Sequence, residues 1–557
     1  MRSRPLAAVL ALLLLTGCGA DPDRPAATPA PSLSGTPVDR ATQLAGRLSD
    51  EDLAGQVLMP YAYGSAAADV SAGSAAGNRK LAGVDTPAEM VAKYRLGGLI
   101  LVGFSADDPT SKNQPTTNVD SPAQVRELTT GLQAASAKLA AGGAPMLIGT
   151  DQEYGVVTRI KEGVTSLPSA MAAGAAAQPG LTEEAWRAAG SELNALGINV
   201  DFAPVADVVG SGSAIGSRSY GADPAQVAAQ VAGAVRGLQA GGVAATLKHF
   251  PGHGHTTTDS HEALPALAQS RAALDAGDLP PFTAGIGAGA KLVMSGHLDV
   301  RAIDPGTPAT FSRKVLTDLL RGQLGYTGLI VSDALNMPPA KRWPPGEAAV
   351  RALNAGNDLL LMPPDLAAAH NGLLAGLRDG SLPRARLLDA ATRVLRLKFE
   401  LAGNPTPPMA TVGSAPHADA AGRLAAAAVT QLRGRCGGAL VRGPVTVTAA
   451  GERETPRRAL ADALTAVGVP VAPSGGAVVH LIGYGDEAAD LSKGAAVTVA
   501  MDSPQLLARS DSPVLLATYS SSQISMRALA GVLAGKATAP GRSPIPVTGL
   551  PRTTCAS

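Results

Sequence analysis

Ala244-Ala245-Thr246-Leu247-Lys248-His249-Phe250-Pro251-Gly252-His253-Gly254-His255-Thr256-Thr257-Thr258-Asp259-Ser260-His261 is a short apolar run that breaks into a polar loop. The run has the continuous hydrophobicity of a strand buried on both faces, and the glycines and proline after it break helices. The same form recurs along the chain. Apolar runs bounded by glycine or proline lie at 56–59, 98–102, 146–150, 198–203, 244–249, 292–295, 329–333 and 358–362, with helical patterns between them. Buried strands alternating with helices in that number predict a (β/α)8 TIM-type barrel over residues 41–403. A doubly wound open sheet fits less well, because no glycine-rich dinucleotide fingerprint follows the first strand.

A barrel of this kind carries its chemistry just after its strands, on the C-terminal rim. Polar sets stand there: Thr150-Asp151-Gln152-Glu153 and on to Arg159 after the third run, Asp207 and then Ile215-Gly216-Ser217-Arg218-Ser219-Tyr220-Gly221 after the fourth. The histidine loop follows the fifth, His297 the sixth, and Asp333 ends the seventh. Four of the eight histidines of the chain fall between 249 and 261. A solvated loop and a metal site compete with catalysis as readings of that loop. Zinc would want thiolates or a tight histidine pair on a helix, and here the glycines and proline break helices and no cysteine lies near. Catalysis is the leading reading, with no metal and no organic cofactor required.

Lys248-His249-Phe250-Pro251-Gly252-His253-Gly254 followed by Asp259-Ser260-His261 closely resembles the signature of the β-N-acetylglucosaminidases of glycoside hydrolase family 3. The resemblance implies that His261 is the general acid/base, that Asp259 orients it, and that Lys248 and His249 contact sugar hydroxyls. Val331-Ser332-Asp333-Ala334-Leu335 resembles the segment holding the family's nucleophile, which implies that role for Asp333; a bare helix cap is the competing reading. The Asp-x-Glu-x-Gly-x-Val-x-Arg and Gly-x-Arg-Ser-aromatic-Gly patterns imply sugar binding by Asp151, Arg159 and Arg218. For the two arginines alone, a structural ion pair is the alternative. Tyr154 stands where the family usually has glycine and His255 where it often has aspartate, and both are expected near the substrate.

The implied reaction is retaining hydrolysis: Asp333 attacks the anomeric carbon while His261 protonates the departing oxygen, then His261 activates water against the glycosyl-enzyme. A histidine titrates near neutrality without tuning, and a partner carboxylate stabilises its imidazolium. By resemblance the substrate is terminal non-reducing N-acetylglucosamine on peptidoglycan-derived fragments, that is, N-acetylglucosaminyl muropeptides. A phosphorylase or β-glucosidase of the same family, or a non-catalytic sugar-binding lipoprotein, are the alternatives.

The chain has 557 residues, a formal net charge of +1, 16% charged and 3% aromatic residues. Such a balance offers no basic field and no stacking platform, so nucleic acid is not an expected partner. Arg2 and Arg4 precede an apolar run from Leu6 to Leu15, too short to span a bilayer, which reads as a signal peptide over 1–17. Leu15-Thr16-Gly17-Cys18 resembles a bacterial lipobox, so Cys18 is the expected lipid anchor to the outer face of the cytoplasmic membrane, with a disordered Pro/Ala/Ser/Thr tether over 18–40. Residues 404–416, rich in proline, read as a linker. From 417 to 557, strand-like runs at 439–441, 478–482, 496–500 and 514–518 with helices such as 457–467 predict a smaller α/β sandwich without a catalytic set. The resemblance runs from about 45 to 550. Cys436 and Cys555 could form a disulfide or remain free thiols. A monomer is expected.

Overall fold

In the computed structural model, which describes residues 33–103, 118–451 and 453–555, every one of the eight runs holds a strand. These are β1 (Leu58–Met59), β2 (Gly98–Leu101), β3 (Leu147–Thr150), β4 (Val200–Asp201), β5 (Ala244–Phe250), β7 (Leu292–Ser295), β9 (Leu329–Val331) and β10 (Leu360–Leu361); β6 (Ala266–Leu267) and β8 (Asp299–Val300) form a separate parallel pair. The order β2-β3-β4-β5-β7-β9 is one parallel sheet. Beyond its edge, the Val331–Leu359 bridge leads to β10, which pairs in parallel with β1. Ile100 then donates its N–H to the Pro60 carbonyl at 3.0 Å, which joins β2 to the end of β1 and completes the barrel. All residues of β2, β3 and β5 are buried, as strands covered on both faces must be.

The outer helices are set by local signals. Pro87–Tyr94, Pro122–Ser136 and Pro224–Ala240 each begin on a proline, whose fixed φ suits a first turn that needs no N–H, and each is capped by the preceding Thr86, Ser121 or Asp223 side chain.

The C-terminal sheet has the order β11 (Thr430–Arg433), β15 (Val514–Ala517), β14 (Val497–Ala500), β13 (Ala477–Ile482), β12 (Val445–Ala449), all parallel except the β11 edge. Its side chains alternate between two cores. Val447, Val479, Val497 and Leu516 pack with Leu460, Leu464, Met526 and Leu529 of the helices Glu454–Ala466 and Gln523–Leu533. Ile482, Ala500, Leu515 and Ala517 belong instead to the apolar cluster that runs through the barrel. Cys436 and Cys555 are joined in a disulfide.

Two expectations need correction. Residues 439–441 form no strand: Gly437, Gly438 and Gly443 around them all have φ near +70 to +81°, and the Leu440 N–H goes to the Leu533 carbonyl. The strand lies next along, in the alternating Val445-Thr446-Val447-Thr448. The end of the expected tether is helix Pro37–Ala45, because Thr36 and Asp39 make a reciprocal capping box with Pro37 in the first turn. Arg40 of that helix lies over the Phe399 ring at 4.1 Å. Within the expected linker, a short turn at Met409–Thr411 leads into helix Ala415–Ala428. The signal peptide, Cys18 and the first part of the tether lie outside the described residues.

Candidate active site

The C-terminal ends of the strands open on a cavity of about 640 Å³. All eight site residues expected from the sequence line it: Asp151, Arg159, Arg218, Lys248, His249, Asp259, His261 and Asp333.

One wall is an ion-pair cluster. Lys248 Nζ lies 2.8 Å from Asp151 and 2.6 Å from Glu153, and Arg218 grips Glu153 with two bonds of 2.7 and 2.8 Å. Arg159 lies 3.6 Å from Asp151. Burial opposes the charge of Glu153, but Arg218 and Lys248 hold its carboxyl well below the usual range; burial likewise opposes the Lys248 ammonium, which Asp151 and Glu153 raise above its ordinary value. Asp151 (17% exposed) and Arg218 (11%) reach the cavity surface more than Lys248 or Glu153 (3% each).

His249 follows Lys248 at the end of β5. Its Nδ1–H donates to Asp207 at 2.8 Å, and Asp207 also accepts the backbone N–H groups of His249 and His253. The loop folds back this closely because Gly254 has no side chain: a Cβ there would stand 2.0 Å from the Val208 carbonyl oxygen. His253 is pushed down to about 4 by burial and the neighbouring His249, so it is neutral at physiological pH.

Asp259 and His261 sit further along the loop. Burial works against ionisation of Asp259, yet the hydrogen bond and charge of His261 hold its carboxyl well below the usual range. An ionised carboxylate only accepts, so the 2.8 Å contact means that Nδ1 of His261 carries the proton and Nε2 is the atom that can exchange one.

Asp333 is buried at the end of β9. Burial would raise its carboxyl, but His297, His249 and His261, with the Ala334 N–H at 2.8 Å, lower it below its ordinary value, so an ionised carboxylate lines the same cavity as His261.

Glu153 and Asp207 stand in the rim sets without an assigned role in the sequence reading; their partners are remote in the chain, and only folding reveals them. Tyr154 and His255 do not line the cavity, against expectation. Tyr154 takes φ +62°, which explains why glycine suits that position, and packs its buried ring on Trp186 at 5.7 Å. His255 pairs with Asp278 at 2.8 Å.

Residues 57–397 match the model described as the glycosyl hydrolase family 3 N-terminal domain. The chain belongs to glycoside hydrolase family 3. It is 33% identical over 378 residues to beta-hexosaminidase A of Pseudoalteromonas piscicida, covering 62% of this chain and 60% of that protein. It is 41% identical over 253 residues to a beta-hexosaminidase of Stenotrophomonas maltophilia strain R551-3, covering 44% of this chain and 73% of that one. Among solved structures, the family 3 β-N-acetylglucosaminidase of Paenibacillus sp. FPU-7 superposes with a TM-score of 0.78 at 31% identity, over 90% of this chain and 99% of that chain. A beta-glucoside phosphorylase at 21% identity shares the fold, with a TM-score of 0.78. Family 3 membership is that of a glycosidase, and the barrel with its second α/β layer is the fold of these neighbours.

Proposed function

We propose that the chain is a retaining exo-β-N-acetylglucosaminidase acting on peptidoglycan-derived fragments. The observation that carries this reading is one cavity shared by a carboxylate held ionised, Asp333, and a histidine whose Nδ1 is tied to a carboxylate, His261. The names of the relatives support the sugar. Asp333 attacks the anomeric carbon, and the glycosidic bond breaks as His261 Nε2–H protonates the leaving oxygen. His261 then takes a proton from water as that water displaces Asp333, so the configuration is retained. Asp259 keeps the ring oriented and stabilises the imidazolium. Asp151, Arg159, Arg218, Lys248 and His249 hold the sugar.

Asp333→Ala tests the nucleophile. Release of N-acetylglucosamine from muropeptides should fall to background, on the order of 10⁴-fold or more, while the thermal unfolding curve is kept, since a rim carboxylate is not part of the core. Comparable turnover in the variant removes Asp333 from the role. Running the wild-type digestion with phosphate and weighing the products separates hydrolysis from phosphorolysis.

The Leu15-Thr16-Gly17-Cys18 pattern supports export and lipid anchoring through Cys18. Cys18→Ala should move the protein from the membrane to the soluble fraction with its specific activity intact; a variant that still pellets with membranes is held by another segment.

A further inference from the structure

The loop that carries Arg218 is gripped from two sides. On one side the Gly210 and Ala214 N–H groups donate to the Gly254 and Thr256 carbonyls of the histidine loop, at 2.8 and 3.0 Å. On the other it meets the C-terminal layer: the Ala222 N–H goes to the Pro544 carbonyl at 3.2 Å, and a Cβ on Gly221 would stand 2.9 Å from that proline. Between these points the turn Gly216–Arg218 has two faces. Ile215 and Arg218 line the catalytic cavity, whereas the buried Ser217 does not, and donates its hydroxyl to Asp502, two residues beyond β14.

Asp502 stands on a braced rim. Arg453, after β12, pairs at 2.6 Å with Asp486, after β13, and donates from Nη1 to the Ala450 carbonyl at 2.8 Å. Asp486 accepts the Gly483 N–H at 2.7 Å, and the Met501 N–H, next to Asp502, goes to the Ile482 carbonyl at 2.8 Å. Three strand ends of the second sheet are thereby knit together behind one carboxyl. Burial pushes that carboxyl above its ordinary value, although the Ser217 hydroxyl, the Ser503 N–H and Arg453 act the other way. An enclosed carboxyl needs a donor to meet it, and among the described residues the side chain that hydrogen-bonds Asp502 is Ser217.

Arg218 is therefore fixed at both ends, its guanidinium by Glu153 of the barrel and its backbone by the neighbouring Ser217 and a carboxyl of the other layer. We propose that Asp502 is a positioning residue for sugar binding: through Ser217 it holds the turn that presents Arg218, so the C-terminal layer sets the affinity of a cavity that none of its described residues lines. The inference rests on the reading of Arg218 as a sugar contact.

The test measures kcat and KM on 4-nitrophenyl N-acetyl-β-D-glucosaminide. In D502A, KM should rise roughly five- to tenfold with kcat within about twofold of wild type, the pattern of a contact made equally to substrate and transition state. S217A, which deletes a single hydroxyl, should move KM in the same direction. D502N, whose amide oxygen still accepts from Ser217, should restore a KM near that of wild type. The decisive comparison is in the R218A background, where D502A should add nothing, because residues that act through one another are not additive. Should D502A fail to fold, S217A and S217A/R218A carry the same comparison. A KM unmoved in both D502A and S217A, a D502N as weak as D502A, or a D502A penalty that persists in full beside R218A overturns this inference alone. An R218A variant with the wild-type KM overturns the sugar-binding role of Arg218 and this inference with it, and a wild type that leaves the aryl glycoside intact overturns the glycosidase reading itself.

Discussion

Asp207–His249 and Asp259–His261 are the same pair at the same length, 2.8 Å from Nδ1 to oxygen, in two different surroundings. The first is locked at the end of β5: the Asp207 side chain is fully buried, His249 is 9% exposed, and two backbone N–H groups also hold the carboxylate. The second stands on the loop, with His261 30% and Asp259 34% exposed. A pair denied both water and movement can present one fixed hydrogen bond. A pair in contact with solvent can give a proton to a leaving oxygen and take another from water. Two more histidine–carboxylate pairs at 2.8 Å, His255–Asp278 and His417–Glu192, lie outside the cavity lining. Pair geometry does not mark the chemistry; what surrounds the free ring nitrogen does.

The largest way to break this comparison is His261→Ala assayed on leaving groups of different basicity. On a muropeptide, kcat/KM should fall roughly 10²- to 10⁴-fold, the usual worth of general acid catalysis. An aryl glycoside with an acidic phenol should still form the glycosyl-enzyme and then stall, and azide should restart turnover as a β-glycosyl azide. Equal losses on all leaving groups, without azide rescue, would remove His261 from proton transfer. His249→Ala should behave otherwise, weakening aryl and natural substrates together by about ten- to a hundredfold, the effect of one lost hydrogen bond with partial charge. A loss that tracks leaving-group basicity would give the buried pair the role assigned to the exposed one.

The smallest effect belongs to His255. His255→Ala should leave kcat/KM unchanged and cost under about 1 kcal/mol of stability near pH 6, since the histidine is half-buried and solvent screens it. Its hydrogen bond to Asp278 raises the His255 pKa above the ordinary value. The contribution is therefore complete below the unfolded histidine value and lost as pH rises through the folded one, so wild type and variant should converge in thermal melts at alkaline pH. Asp278 limits the cost further. Burial raises its carboxyl despite His255, so it can accept a proton when the partner goes. A gap that widens with pH would contradict this.

The barrel was legible because each strand announces itself twice, by an apolar run and by the polar set after it; the eight runs and the site residues at their ends needed no long-range knowledge. What escaped was of two kinds. Local signals were outweighed by composition where Thr36-Pro37 and Asp39 cap a helix inside a stretch rich in Pro, Ala and Ser. Pairings across the barrel were invisible in principle: Arg218 meets Glu153, and His249 meets Asp207, only after separate strands close side by side, and no periodicity encodes that. Tyr154 shows the limit of a position read against a family, since the departure from glycine reports a backbone angle and not a substrate contact.

The bridge between Cys436 and Cys555 closes a covalent ring across 119 positions, enclosing β12 to β15. The chain-entropy cost it removes from the unfolded state is on the order of 5 kcal/mol. Within the ring, Arg542 donates its N–H to the Ala175 carbonyl and Pro544 accepts from the Ala222 N–H, both on the barrel, while Thr554 bonds Gln431 of β11, just outside it. The tail is thus a belt buckled on both sides. Unravelling that approaches β15 from the Cys555 side meets the buckle first, so the C-terminal layer has to open from its middle, against two apolar cores, or not at all.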